Sequence, residues 1–183
     1  MRVISLLRGI NVSGQKKIKM ADLRSLYEGL GFQNVTTYIQ SGNVIFDTNL
    51  KKHLDAKRKI EQAILEKYNF DVPVTLRSVE DFKNLIKNCP IKSIDPKLEG
   101  SKVLVSFLSD KPENEKFENL LKYVVKPEEL MIRGSEVYLR CPNGYGKSKL
   151  NNNFIENKLC VGATTRNWKT ILKLIEMSSR DNE

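Results

Sequence analysis

The stretch Val35-Thr36-Thr37-Tyr38-Ile39-Gln40-Ser41-Gly42-Asn43-Val44-Ile45-Phe46 reads as two strands folded back on a tight turn. Val35, Thr37 and Ile39 share one face of an extended segment that is expected to run from Val35 to Gln40. Ser41-Gly42 supplies the turn, and Val44–Phe46 returns as the hairpin partner. What flanks this hairpin decides the fold.

Upstream, Val3–Leu7 is a near-continuous apolar run, the pattern of a central strand. Leu23, Leu26, Tyr27 and Leu30 follow helical spacing, and Gly29 and Gly31 flank the end of that helix. Downstream, Ala56, Ile60, Ala63 and Ile64 mark a long, heavily charged helix. Val72, Val74 and Leu76 alternate in a closing strand, with Pro73 marking it as an edge. The order β-α-β-β-α-β predicts a split βαβ, or ferredoxin-like, sandwich with its helices on one sheet face. In that topology the exit of the first strand (Arg8, Gly9, Asn11) and the hairpin turn (Gln40 to Asn43) lie at one end of the sheet. The first helix begins there too, with its free amides and positive dipole end.

The second half repeats the order. Val103–Leu108 is a strand, Phe117, Leu120, Leu121 and Val124 define a helix, and Leu130–Ile132 with Val137–Leu139 form a hairpin around Gly134-Ser135. Leu150 and Phe154 lie on a following helix. Trp168, Ile171, Leu172 and Ile175 lie on a last one, with Thr164 or Thr165 as its N-cap. The expected fold class is α+β: two ferredoxin-like subdomains with a connecting helix and a C-terminal helix. Residues 1–77 form the first subdomain and 101–183 the second with the terminal helix. Between them, 78–100 holds a helix (Val79, Phe82, Ile86) and a linker from Cys89-Pro90 to Gly100.

Composition narrows the chemistry. Hydrophobic residues make up 40% and charged residues 29% of 183, ordinary for a globular protein. No apolar run approaches the length of a membrane span, and no signal-peptide pattern is present, so a cytoplasmic location is expected. Cys89, Cys141 and Cys160 are far apart and form no C-x-x-C pair, which speaks against a disulfide framework or a zinc site. His53, the only histidine, sits in a charged run and reads as an exposed helix residue. The net charge of +9 is spread along the chain, and Lys16-Lys17-Ile18-Lys19 is its only compact patch.

Three polar segments stand apart from this background: Arg8-Gly9-Ile10-Asn11, Gln40-Ser41-Gly42-Asn43 and Thr164-Thr165-Arg166-Asn167-Trp168. They hold guanidinium, amide and hydroxyl groups and no carboxylate, histidine or cysteine. Such groups stabilise negative charge but are poor proton shuttles. The expected site is therefore a binding site. Arg8, Asn11, Gln40, Ser41 and Asn43 would supply donors, joined by Arg166 and Asn167, to a small anionic or polar ligand at the subdomain junction. The structural alternative is turn chemistry and domain glue, which Asn, Gly and Arg also serve. No catalytic residue, metal or cofactor is assigned, and no catalytic constellation is recognisable.

Gly144-Tyr145-Gly146-Lys147-Ser148 imitates the end of a phosphate-binding loop, but Cys141 stands where the first glycine belongs and Pro142 removes an amide. An NTPase is excluded on that ground. What survives is a weaker anion site at a helix start, or simply a capped helix. RNA binding on the sheet would need aromatics on its exposed faces, and Tyr138 is the one stacking residue on offer. The alternatives to a small ligand are nucleic-acid binding through the basic surface and an oligomeric interaction module.

The segments Leu7-Arg8-Gly9-Ile10-Asn11-Val12, Tyr38 to Val44, Pro142 to Gly146 with Ser148-Lys149-Leu150, and Ala163 to Trp168 together resemble the signatures of one bacterial family, domain of unknown function 1697. The resemblance runs through essentially the whole chain in order. It implies two ferredoxin-like subdomains and brings no activity, substrate or cofactor.

Overall fold

The computed structural model describes residues 1–50 and 52–179. The chain divides into two compact units, Met1–Lys83 with the segment from Leu174, and Asn84–Lys173. The division differs from boundaries at 77 and 100. The end of the connecting helix and the 89–100 segment belong with the second half, and the last turns of the terminal helix with the first.

In the first unit the elements follow in the order β1 (Arg2–Leu7), α1 (Met20–Gly29), β2 (Gln33–Tyr38), β3 (Asn43–Asp47), α2 (His53–Tyr68), β4 (Val74–Ser78) and α3 (Val79–Lys87). The strands form one sheet in the order β2-β3-β1-β4, every neighbouring pair antiparallel. This is the ferredoxin-like arrangement, and it makes β4, which carries Pro73 just before it, an edge. Val3 and Leu7 of β1 and Val44 and Phe46 of β3 pack with Leu23 and Tyr27 of α1 and Ile60 and Ile64 of α2 in one core. Ile4 and Leu6 are equally buried, so β1 is covered on both faces, which is why it reads as a continuous apolar run. His53 is half-buried at the start of α2.

The hairpin departs from simple alternation twice. A bulge between Gln33 and Thr36 places Asn34 at a left-handed φ of 50°. The strand then stops at Tyr38: Ile39, expected to continue it, turns left-handed at φ 49° and is 49% exposed. The cause is local. The buried Asn43 side chain donates to the Tyr38 carbonyl at 2.9 Å, taking the place of the next ladder bond.

The second unit repeats the plan with β5 (Val103–Leu108), α4 (Asn114–Leu121), β6 (Glu129–Arg133), β7 (Glu136–Arg140), α5 (Asn152–Leu159) and β8 (Ala163–Asn167), followed by α6 (Trp168–Ser179). Its sheet has the same order, β6-β7-β5-β8. The core gathers Leu104, Leu108, Val137 and Leu139 beneath Leu120 of α4 and Ile155 and Leu159 of α5. β8 was not foreseen. Thr164 and Thr165, expected to cap α6, are strand residues paired with Phe107 and Ser106, and the cap is Asn167, whose Oδ1 accepts from the Thr170 amide at 2.8 Å. The buried stripe of α6 runs through Trp168, Ile171, Leu174 and Ser178, not through Leu172 and Ile175. The segment before α5 also differs. Tyr145–Lys147 is a single 3-10 turn, and α5 starts at Asn152 under its own cap, Asn151. Among the described residues no helix is long and apolar enough to cross a membrane.

Candidate functional site

The polar segments of the first unit meet at one pole of its sheet. Two backbone bonds fix the exit of β1: Leu7 donates to the Gly42 carbonyl at 2.8 Å and Arg8 to the Pro73 carbonyl at 2.9 Å. The chain leaving β1 is thus held between the β2–β3 turn and the entry to β4. Gly42 is required here. Its φ is +75°, and an added Cβ would come within 2.7 Å of both Leu7 Cβ and Ile10 Cδ1.

Asn11 fastens the next loop. Its Nδ2 donates to the Ile18 carbonyl and the Gln40 carbonyl, each at 2.9 Å, and its Oδ1 accepts from the Ile18 amide at 2.9 Å. One side chain therefore closes the 11–18 loop on itself and ties it to the hairpin turn. Both its donors are used, so its part is to shape the pole. Asn43 behaves the same way: it is fully buried, and its Nδ2 donates to Tyr38 O and to Ser41 Oγ at 3.0 Å. Gln40 contributes its carbonyl to Asn11, while its side chain projects into solvent. Arg8 and Ser41 are half-buried beside it.

The loop backbone is unusual. Between Gly9 and Lys16, φ is positive at Gly9, Asn11, Ser13, Gly14 and Lys16: left-handed and ordinary residues alternate from Gly9 to Ser13, and Ser13 and Gly14 are left-handed in succession. Alternation of this kind turns successive N–H groups toward one concave side, the geometry of anion-binding nests. The amides of Gly9, Ile10, Ser13 and Gly14 reach no protein acceptor among the described residues. The loop runs on through Lys16, Lys17 and Lys19 into α1, whose N-cap position, Lys19, supplies no side-chain cap. Uncovered amides, a helix N-terminus and cationic side chains therefore collect on the same stretch of chain.

Arg166 and Asn167 lie in the second unit. Arg166, expected in the first turn of a helix, is instead a β8 residue opposite Val105, 8% exposed, and its Nη1 donates to the Thr165 carbonyl at 2.9 Å. Asn167 spends its side-chain oxygen as the α6 cap. Tyr138, the one aromatic available for stacking, is 2% exposed and donates its hydroxyl to the Leu85 carbonyl at 3.0 Å. It is a core residue. Cys89, Cys141 and Cys160 are all free thiols.

A family model described as a protein of unknown function, DUF1697, matches residues 1–138, which include the whole first unit up to Lys83 and both loops of its pole. The chain belongs to the DUF1697 family. No curated protein matches it. Among solved structures it is similar to the conserved bacterial protein SP0830 from Streptococcus pneumoniae, with a TM-score of 0.74 and 25% identity over 97% of this chain and 98% of that one. The likeness covers residues of both units.

The topology read from the sequence brings these loops to one pole but does not reveal its open amides. Sequence reasoning selected Asn11 and Asn43 for their amides, which are consumed internally. It passed over the backbone N–H groups of the 9–14 loop, which no side-chain pattern advertises. The signal that was available is the density of Gly, Asn and Ser between Gly9 and Gly14, residues that tolerate left-handed φ.

Proposed function

We propose that the protein binds a small anionic ligand at the pole of its first unit, on the concave side of the 9–19 loop. The observation that supports this reading most is the run of left-handed residues from Gly9 to Lys16, alternating with ordinary ones as far as Ser13 and locked by Asn11, with amides left for a guest. A loop kept in sparsely populated conformations by its surroundings is where function commonly resides. Arg8 and the Gln40 amide would add side-chain donors at the rim, Ser41 a hydroxyl, and Lys16 to Lys19 a favourable field. Asn11 and Asn43 would position the loops without touching the ligand. A binding role suits this set, since it holds no carboxylate, histidine or cysteine to carry a proton.

Nucleic-acid binding through sheet stacking finds less support, because Tyr138 is buried and the β1 and β3 positions facing away from the helices, Ile4, Leu6 and Ile45, are apolar and covered. Association through sheet edges has no observation in its favour.

Thermal denaturation against a panel of anionic metabolites tests the reading. A ligand at about 100 times its Kd adds ~2.7 kcal/mol, which raises Tm by roughly 5–10 °C for a chain of this size. The shift should vanish in Arg8→Ala and shrink in Gln40→Ala, whose exposed side chain leaves the fold untouched. No shift with any anion, or a shift that both variants retain, rules out the pole.

A further inference from the structure

The second unit contains a cleft of about 810 Å³ between the chain leaving α4 and the segment before α5. Lys122 and Lys126 line one wall and Lys147 and Lys149 the other, and among the described residues Glu128 is the only carboxylate in the lining. A fifth ammonium group, from Lys158 of α5, lies 4.4 Å from the Tyr123 ring centre and donates to the Tyr123 hydroxyl at 3.0 Å. Lys126, Lys147 and Lys149 make no ion pair among the described residues.

The fold forces this gathering. Ser148 is extended (φ −78°, ψ 142°) and buried, its hydroxyl accepting from the Leu150 amide at 3.1 Å, and Leu150 is fully buried. Lys147, which ends the 3-10 turn, and Lys149 flank this buried serine, and both are exposed. Opposite them, the chain after α4 is held by bonds from Tyr123 to Leu120 O and from Val124 to Leu121 O, which bring Lys122 and Lys126 to the rim. Like charges collected in a concavity repel one another, and the field they focus there attracts an anion.

We propose that this cleft binds a compact molecule carrying at least two phosphate groups, of the nucleoside diphosphate class. Lysines serve as point-charge phosphate ligands, and several around one cleft match several phosphates better than one. The cleft volume falls within the range of small-ligand sites, about 300–1,000 Å³. Val125, 70% exposed, and Pro127 offer an apolar wall for the ring of such a ligand. The Gly144–Ser148 segment thus keeps an affinity for phosphate without a phosphate-binding loop: the ammonium groups of Lys147 and Lys149 replace the missing amide cradle. This site is independent of the pole in the first unit.

Tyr123 reports on occupancy. The hydrogen bond and charge of Lys158, with the charges of Lys149 and Lys122, hold its hydroxyl below the ordinary tyrosine range. Bound phosphate offsets that field and moves the ionisation back up.

Calorimetry on the full chain at low salt, with inorganic tripolyphosphate, ADP and a single-stranded oligonucleotide as probes, tests the proposal. At least one of the first two should bind, and Lys147→Gln with Lys149→Gln should weaken it about tenfold or more, as expected for losing charge-assisted bonds. Arg8→Ala should bind as wild type does. Tripolyphosphate should also move a tyrosinate absorbance titration to higher pH in wild type and leave Tyr123→Phe unchanged. Heat with neither phosphate probe, binding indifferent to the lysine pair, binding lost in Arg8→Ala, or capture of the oligonucleotide alone would each overturn it.

Discussion

The hydroxyls of Ser5 in β1 and Tyr27 in α1 lie 2.8 Å apart, and neither residue exposes any surface. This pair joins the first helix to the central strand inside an otherwise apolar cluster, with Phe32 and Phe46 against the tyrosine ring. Burial pushes the Tyr27 hydroxyl far above its ordinary ionisation range, so it stays neutral. Tyr27→Phe keeps the ring and leaves Ser5 without its partner, an expected cost of about 1–2 kcal/mol in urea unfolding. Combining it with Ser5→Ala removes both polar groups, and the double variant should lose less than the two single losses added together. Strict additivity would mean the two hydroxyls do not depend on each other.

Asn11→Ala removes three hydrogen bonds and also places alanine at a φ of 55°. With about 1 kcal/mol net for each bond, the loss should reach about 2–4 kcal/mol, large for a residue on a loop. Asn11→Gly accepts the backbone conformation and should recover about 1 kcal/mol of that. The urea midpoint should fall at constant m-value, and a midpoint within error of wild type would show that the clamp does not hold the pole.

Gly42 and Gly9 separate close approach from backbone conformation. Both have a φ near +75°, but a Cβ at Gly9 meets nothing within 4 Å whereas one at Gly42 meets Leu7 Cβ at 2.7 Å. Gly9→Ala should therefore cost only the conformational penalty, about 1 kcal/mol. Gly42→Ala should cost about 2–4 kcal/mol, since a Cβ atom on a central strand cannot turn aside as a side-chain tip can. Equal losses at the two positions would mean the turn yields freely.

The first half was legible because its apolar periodicities were unmixed: Val3–Leu7 could only be a strand covered on both faces, and Leu23, Leu26 and Tyr27 only a helix. What stayed hidden were places where a polar side chain overrides periodicity. Ile39 continues the alternation of the hairpin strand, yet the Asn43 amide caps that strand one residue earlier. Ala163–Asn167 looks like a helix cap because threonine and asparagine favour caps. Pairing with β5 recruits the threonines into a sheet edge and leaves the capping to Asn167. The candidate site followed the same rule. The meeting of Arg8, Asn11 and Gln40 came directly from topology, whereas the amides of the 9–14 loop and the lysine cleft depend on backbone angles and long-range packing that no local pattern encodes.

Asp47 links the first unit to acid. Arg2 grips it with both arms of its guanidinium, Nε to Oδ1 at 3.2 Å and Nη2 to Oδ2 at 3.1 Å, and Asn34 donates to Oδ2 at 2.8 Å. Burial alone would raise the carboxyl pKa. The bonds from Asn34 and Arg2, with the charges of Arg2 and the N-terminus, outweigh it and hold the group below its ordinary 3.8. A carboxylate lowered on folding stabilises the native state fully above its unfolded pKa, and that contribution fades as pH falls through the folded value. Wild-type stability should therefore start to drop below about pH 5. Asp47→Asn should be less stable at neutral pH and lose stability less steeply in acid, so the two curves converge as pH falls. Urea unfolding of both proteins across that range measures the difference, and parallel curves would show that the Arg2 grip does not set the acid sensitivity of this unit.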